Sequence, residues 1–428
     1  GDGHVGFGQQ LRLSLPDGQC AKGGRLPGGV ADGEAVAAAG RIIDRAEKFH
    51  RANHTGQRPA LDLLAADEPL QRLDEIRRVE VLAVHLQHHA SGTVDDRRLR
   101  DVVEAPGRRQ PGEADLVGEA ARWAPSIHNS QPWHLQRLPD GIAVWEDVSR
   151  ALPVIDPHGR DRAISCGAAV LNARVALRAL GYAAETDLAP DPARPELIGV
   201  VRAVGRRQPG PADLALSEAV RQRHTHRRVY RSHAVAEEDL LELRQAVVTE
   251  GGRLSIADPA ARRRLAHLLR RAVRVQAADV ELRGEIERWV RRGGGAGADD
   301  GIPSSSLGTS PFPVDSLVHA GHSGAPEASE VEEELARSTV LAISTRDDTR
   351  RDWVVAGVAL ERMLLAATAK GLVATFTDQA LQNPELRPEV AEVLGIWGMP
   401  QVLLRVGRAL VEAPPTPRRP LSELFDGS

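Results

Sequence analysis

The stretch APSIHNSQPWH, residues 124–134, governs the reading of the whole chain. Pro125 stops a helix expected over 113–123, and a second proline, Pro132, bounds the loop that follows. The string carries a hydroxyl on Ser126, amide donors and acceptors on Asn129 and Gln131, and the indole of Trp133. That set matches a planar heteroaromatic ligand with alternating donors and acceptors along one edge. An ordinary helix-ending turn accounts for the proline and serine but not for the whole string.

A second string, RQRHTHRRVY at 221–230, leaves the end of a helix expected over 212–222. In extended chain Arg223, Thr225 and Arg227 alternate and point to one side. Two guanidinium groups and a hydroxyl make a phosphate site, with a solvated helix end as the alternative. A third string, PTPRRP at 415–420, reads as a surface tail when taken alone.

Around these strings, hydrophobic periodicity predicts helices over 162–180, 236–250, 258–291, 352–370 and 385–394, and strands over 142–145, 197–204 and 402–406. Two of the helices match each other. Gly167 and Gly181 bracket one and Gly357 and Gly371 the other, 14 residues apart in each case, and Val-Gly-Arg closes a later strand at 204–206 and at 406–408. Tandem duplication of one α+β unit explains the match, and chance in an alanine-rich chain is the competing reading. The Gly-, Ser- and Pro-rich stretch 293–330 cannot form a regular element and reads as disorder or a lid, with Ile302, Leu307, Phe312 and Val314 as apolar anchors.

Composition narrows the class. A chain of 428 residues with 42% hydrophobic content can bury a sizeable core across two or three domains. A net charge of −4 offers no overall attraction for nucleic acid or an anionic membrane, although all but three of the 55 basic residues are arginine. Cys20 and Cys166 cannot build a disulfide framework or a cysteine metal site, and Cys166 reads as a buried core residue. His85, His88 and His89 lack a carboxylate partner at helical spacing, so no metal site is expected. No uninterrupted apolar run spans a bilayer and no secretory signal is visible, which places the chain in a reducing, cytoplasmic setting. Residues 1–112 hold none of the six tryptophans and read as an N-terminal extension, either disordered or outside the native reading frame, with short helices around 33–50 and 68–90.

Together APSxxNSQPW, RxTxR followed by an aromatic, a glycine-bounded helix and a late Pro-x-Arg-x-Pro resemble the FMN-dependent nitroreductase family, and more narrowly its Acg-type single-chain branch. The resemblance covers about 113–424. It implies an α+β fold of two nitroreductase-like halves, each a sheet flanked by helices, joined as an intrachain pseudo-dimer over 113–208 and 209–428. It implies FMN as cofactor, with Arg223, Thr225, Arg227 and Arg418 on the phosphate and ring edge and Pro125, Ser126, Asn129 and Gln131 approaching from the other half. Asp378 and Gln379 stand where the family presents a Glu-Gly pair near flavin N5. His128 and His134 read as hydrogen-bonded loop histidines or as proton donors to substrate. The implied activity is hydride transfer from NAD(P)H to a nitroaromatic or quinone-like acceptor, by a monomer or a homodimer; flavin storage with little turnover is the alternative.

Overall fold

The computed structural model describes residues 113–231, 234–291, 299–307 and 326–425. Expectations for 1–112, and those for Phe312 and Val314, fall outside the described residues. The first sheet-bearing half opens with α1 (Glu113–Arg122), β1 (Trp133–Arg137) and β2 (Gly141–Glu146). It continues through α2 (Arg160–Ala179), β3 (Tyr182–Leu188) and β4 (Leu197–Arg206). Then come α3 (Pro211–Gln222), α4 (Glu237–Thr249), β5 (Arg253–Ile256), α5 (Pro259–Ala278) and α6 (Val280–Trp289). A short parallel pair, β6 (Val290–Arg291) and β7 (Ile302–Pro303), precedes α7 (Ala328–Ala336) and β8 (Thr339–Thr345). The chain closes with α8 (Arg350–Ala369), β9 (Val373–Phe376), α9 (Arg387–Leu394) and β10 (Met399–Gly407).

The strands form two four-stranded sheets, ordered β1-β2-β4-β3 and β5-β8-β10-β9, with every neighbouring pair antiparallel. The two orders are the same pattern. Each sheet also carries a 20-residue helix, α2 or α8, between its second and third strands in sequence. Gly181 and Gly371, just past those helices, have φ of 86° and 69°, the left-handed caps that the glycine spacing predicts.

Where α2 crosses α8 the backbones touch. A Cβ on Gly167 would lie 2.4 Å from the Val354 carbonyl oxygen and 3.2 Å from Gly357 Cα. A Cβ on Gly357 would lie 2.0 Å from the Ile164 carbonyl oxygen and 3.0 Å from Gly167 Cα. Each glycine thus meets the other and the carbonyl three residues before it. Only two hydrogens permit this approach.

Two tails cross between the sheets. After α3, His226 donates its backbone N–H to Ala374 O at 2.8 Å and Thr225 bridges Ala374 in parallel, which closes the β9 edge. The C-terminal tail closes the β1 edge: Leu135 N donates to Leu424 O at 2.6 Å, and the Phe425 ring fills the space a Gly118 side chain would need.

Sequence and structure part at several elements. The helix expected over 258–291 is broken at Asp279, whose carboxylate accepts from Leu282 N at 3.0 Å and starts α6. The expectation of no regular element over 293–330 is corrected at both described ends. Ile302 docks into a cluster with Leu152, Ile155, Leu282 and Ile286, and Glu327 N donates to Glu330 as α7 begins. β1, β3 and β5 to β9 were not expected as strands. β8 is buried at six of its seven positions, so it lacks the alternation that marks a half-exposed strand.

Gly357→Ala is expected to destabilise the fold by about 3 kcal/mol or more, because two backbones must separate. Gly284→Ala in α6, where a Cβ meets nothing within 4 Å, should instead stabilise by about 0.5–1 kcal/mol. Urea denaturation of the two variants checks the contrast.

Candidate functional site

One cavity, about 1180 Å³ with its open mouth included, lies between the loop after α1, the start of α2 and the second sheet. From the first half come Pro125, Ser126, Ile127 and His128 of the loop after α1, with Asp161, Ile164 and Ser165 from the start of α2. The later part of the chain adds Thr225 and Arg227, then Thr375 and Phe376 of β9, Asp378 and Gln379 beyond it, and Gln401, Val402 and Arg405 of β10. The loop near 126 and the basic segment near 226, about a hundred residues apart in sequence, therefore share a wall.

The loop is held in an uncommon backbone shape. His128, Asn129 and Gln131 have φ of 50°, 56° and 48°, left-handed values that non-glycine residues adopt at a cost. Side chains fix it there. Ser126 Oγ accepts from Gln131 N at 2.9 Å, and Ile127 N donates to Ser165 Oγ at 3.2 Å. Asn129 Nδ2 donates to Gly301 O at 2.9 Å and to Pro417 O at 3.0 Å, while its Oδ1 accepts from Arg418 at 3.0 Å. Gln131 Nε2 donates to Asp299 O at 2.9 Å, and its Oε1 accepts from Arg419 N at 2.9 Å. Asn129 and Gln131 thus tie the loop to segment 299–307 and to the C-terminal tail. They do not line the cavity, where the sequence reading had them face a ring.

Arg223 and Arg418 also sit off the cavity wall. Arg223 is buried 3.6 Å from the fully buried Glu361 and donates to Trp123 O at 3.1 Å. Arg418 donates to that same carbonyl at 3.3 Å and lies over the Trp123 ring. Burial, reinforced by Arg223, pushes the Arg418 guanidinium down to about 9. Burial pushes Glu361 up to about 7 against the pull of Arg223. Of the ten residues singled out from sequence, Pro125, Ser126, Thr225, Arg227, Asp378 and Gln379 meet on the wall, and Asn129, Gln131, Arg223 and Arg418 stand behind it.

The charged groups on the wall are tuned by burial. Burial, with Arg227 adding to it and Asp161 opposing, pushes His128 down to about 4, so its imidazole is neutral; its Nε2 is buried without a protein partner among the described residues. Burial and then the neighbouring Asp161 push Asp378 up to about 8, although its Oδ1 accepts from Leu403 N at 2.6 Å. Asp156 rises to about 6 from burial and Asp161, while accepting from the N–H groups of Asp161 and Arg162. His134, by contrast, lies on β1 stacked against Trp145, away from the cavity. Cys166 is fully buried, donates to Pro132 O at 3.1 Å, and burial holds its thiol well above the usual range.

Asp161, Gln276, Gln382 and Arg405 line the cavity although the sequence reading did not single them out. Arg405 alone had a local signal: an arginine inside the apolar strand Val402-Leu403-Leu404. It is 2% exposed and pairs with Glu334 at 2.8 Å.

Comparison with known proteins bears on what this arrangement is. No family model matches the chain. A Mycobacterium tuberculosis protein named provisionally as an NAD(P)H nitroreductase, Rv3131, is 35% identical over 312 residues, covering 71% of this chain and 88% of its own. The Mycobacterium tuberculosis Acg protein, under the same provisional name, is 31% identical over 319 residues, 71% of this chain and 92% of its own. The chain belongs to the nitroreductase family. Among solved structures, a Bacteroides fragilis nitroreductase with bound FMN is 16% identical, covers 46% of this chain and 92% of its own, and gives a TM-score of 0.30. An iodotyrosine deiodinase bound to FMN and 3-iodo-L-tyrosine is likewise 16% identical, over 48% of this chain and 95% of its own, at 0.33. Within this nitroreductase-family chain, the string at 124–134 serves partly as wall and partly as clamp.

Arg223→Ala should cost about 3–5 kcal/mol near pH 8, since Glu361 loses its counter-charge. A neutral Glu361 is tolerated, so the cost should shrink as pH falls below about 7. Chemical denaturation at both pH values tests this, and adding Glu361→Gln should restore most of the loss. For Asp378, whose folded value of about 8 exceeds the ordinary 3.8, stability is full below 3.8 and falls as pH rises through 8. Asp378→Asn removes that slope, so its melting temperature should match wild type near pH 4 and exceed it near pH 8.

Proposed function

We propose that this chain binds FMN in the cavity and acts as an oxidoreductase, taking hydride from NAD(P)H and passing it to a nitroaromatic or quinone-like acceptor. The observation that carries the reading is the meeting of the loop near 126 with Thr225 and Arg227 on one wall. The residues fit a mononucleotide. Arg227 and Thr225 would hold the phosphate, Pro125 and Ser126 would approach the ring, and Ile164, Leu360, Phe376 and Val402 give the apolar surface that an aromatic ring needs. His128 Nε2 offers a buried polar atom with no protein partner among the described residues. Bound FMN would supply the redox chemistry itself. The protein's part is to orient, exclude water and place protons. Asp378, neutral below about pH 8, keeps a proton at Oδ2 while Oδ1 is engaged by Leu403 N. Arg223, Glu361 and Arg418 brace the wall from behind, and Asn129 and Gln131 hold the loop's backbone.

The reading includes a duplicated architecture: 113–208 and 209–428 as two fused halves, with one site between them and with 1–112 outside it. The chain's relatives carry NAD(P)H in their names, and that donor is taken over here as part of the proposal. No helix among the described residues is long and apolar enough to cross a membrane.

One observation favours flavin holding as a second reading. Segment 299–307 is pinned to the loop by Asn129 and Gln131, Asp300 is paired with both Arg150 and Arg291, and Ile302 lies on the cavity wall. A strap so fastened would hinder a nicotinamide. Anaerobic titration with NADPH decides between the two: bleaching of the yellow protein is expected for the oxidoreductase, and persistent colour leaves only storage. A colourless protein after native expression would end both. Arg227→Ala should weaken flavin binding by about 1.5–3 kcal/mol, measured by fluorescence of released flavin; unchanged occupancy would remove the phosphate role.

A further inference from the structure

We infer that the corner of the cavity at Gln276 and Gln379 is a subsite for the electron acceptor, binding an aromatic ring through a hydroxyl or amino substituent that donates to the Gln276 amide oxygen. The inference rests on the nitroreductase reading above and adds the substrate's chemistry to it.

Both glutamines line the cavity, and each is only 6% exposed. The Oε1 of each is buried with no protein partner among the described residues. The orientation of Gln276 is set by a chain of amides. Gln276 Nε2 donates to Gln382 Oε1 at 3.0 Å, and Gln382 Nε2 donates to Asp161 Oδ2 at 3.2 Å. Asp161 is itself paired with Arg160 at 2.7 Å, and a carboxylate in such a pair only accepts. Gln382 must therefore offer its NH₂ to Asp161 and its oxygen to Gln276. That forces Gln276 to spend its NH₂ on Gln382, which leaves its oxygen toward the cavity. An amide flip at either position would set two donors or two acceptors against each other.

Gln379 lies on the turn Asp378–Ala380, three residues before Gln382, and α5, which carries Gln276, packs on that turn. The corner thus presents the Gln276 oxygen as an acceptor, with the Asp161 carboxylate behind it. Its chemistry is opposite to that of Thr225 and Arg227, which suit the anionic end of a mononucleotide. A buried amide oxygen without a donor is unfavourable, and a ligand O–H or N–H placed there relieves it. A ligand carboxylate would meet an acceptor and a like charge.

Calorimetric titration of the flavin-loaded full chain with para-nitrobenzyl alcohol, para-nitrotoluene and para-nitrobenzoate tests the subsite. The alcohol should bind about tenfold tighter than the toluene, and the benzoate more weakly than either. Gln276→Leu should reduce the alcohol's advantage to about twofold or less with flavin absorbance unchanged. Equal affinity of alcohol and toluene in the unaltered protein overturns the subsite, whether or not the variant folds. Loss of flavin from the folded variant also overturns it, since the amide would then serve the cofactor. An alcohol preference in a chain that carries no flavin supports the subsite while sinking the cofactor reading alone.

Discussion

Everything in the described fold is arranged about the contact between Gly167 and Gly357. With a Cβ at either position 2.0–2.4 Å from a carbonyl oxygen, the two 20-residue helices can be this close only as glycine against glycine. The contact is also reciprocal, each glycine meeting the carbonyl three residues before the other. That reciprocity fixes both the separation and the crossing point, and the sheets hang from the helices. The cavity wall includes Ile164 from α2 and Leu360 from α8, each three residues from its crossing glycine. A looser crossing would move the two walls apart before it disturbed either sheet.

The loop near 128 shows how a strained conformation is maintained. Three left-handed non-glycine residues within four positions would each relax if released. Asn129 and Gln131 prevent it by bonding to two segments far away in sequence, 299–301 and 417–419. The amides that a linear reading assigns to a ligand are spent on the protein, and what reaches the cavity is the neighbouring His128. The same displacement occurs in the arginines. Arg223 has a buried carboxylate to neutralise, so Thr225 and Arg227 carry the string's contribution to the wall.

What the linear chain revealed depended on local chemistry. Glycine caps at 181 and 371 were legible because left-handed backbone demands a particular residue. The loop and basic strings were legible as clusters of unusual side chains, and the structure brings both to one cavity. Side-chain direction was not legible: alternation along 223–227 predicted three groups on one side, yet Arg223 ends α3 and turns inward. β8 was hidden because a strand covered on both faces has no alternation, and β9 because four residues are too few to show any. Asp161, Gln276 and Gln382 were hidden for a different reason, since their significance lies in a hydrogen-bond chain among three separate elements.

The two sheets match in topology, but their surroundings do not. Arg160 and Arg350 are the first residues of α2 and α8, and each reaches across to the other half, Arg160 to Leu381 O at 3.2 Å and Arg350 to Pro195 O at 2.8 Å. Beside Arg160 lie acidic and amide groups facing open space: Asp161, Asp378 and the glutamines. Beside Arg350 lies Glu146, 3% exposed, held by Arg162 on one oxygen and by Arg350 on the other. Both oxygens of the buried Glu146 carboxylate are thereby engaged within the protein. At the Arg160 corner the charges are only partly matched, since Arg160 faces Asp161 with Asp378 and Asp156 close by, and burial holds both of those acids toward their neutral forms. Matched helices therefore end in opposite electrostatic outcomes: a closed ion cluster at one crossing, and at the other a cavity whose polar atoms are left to a ligand.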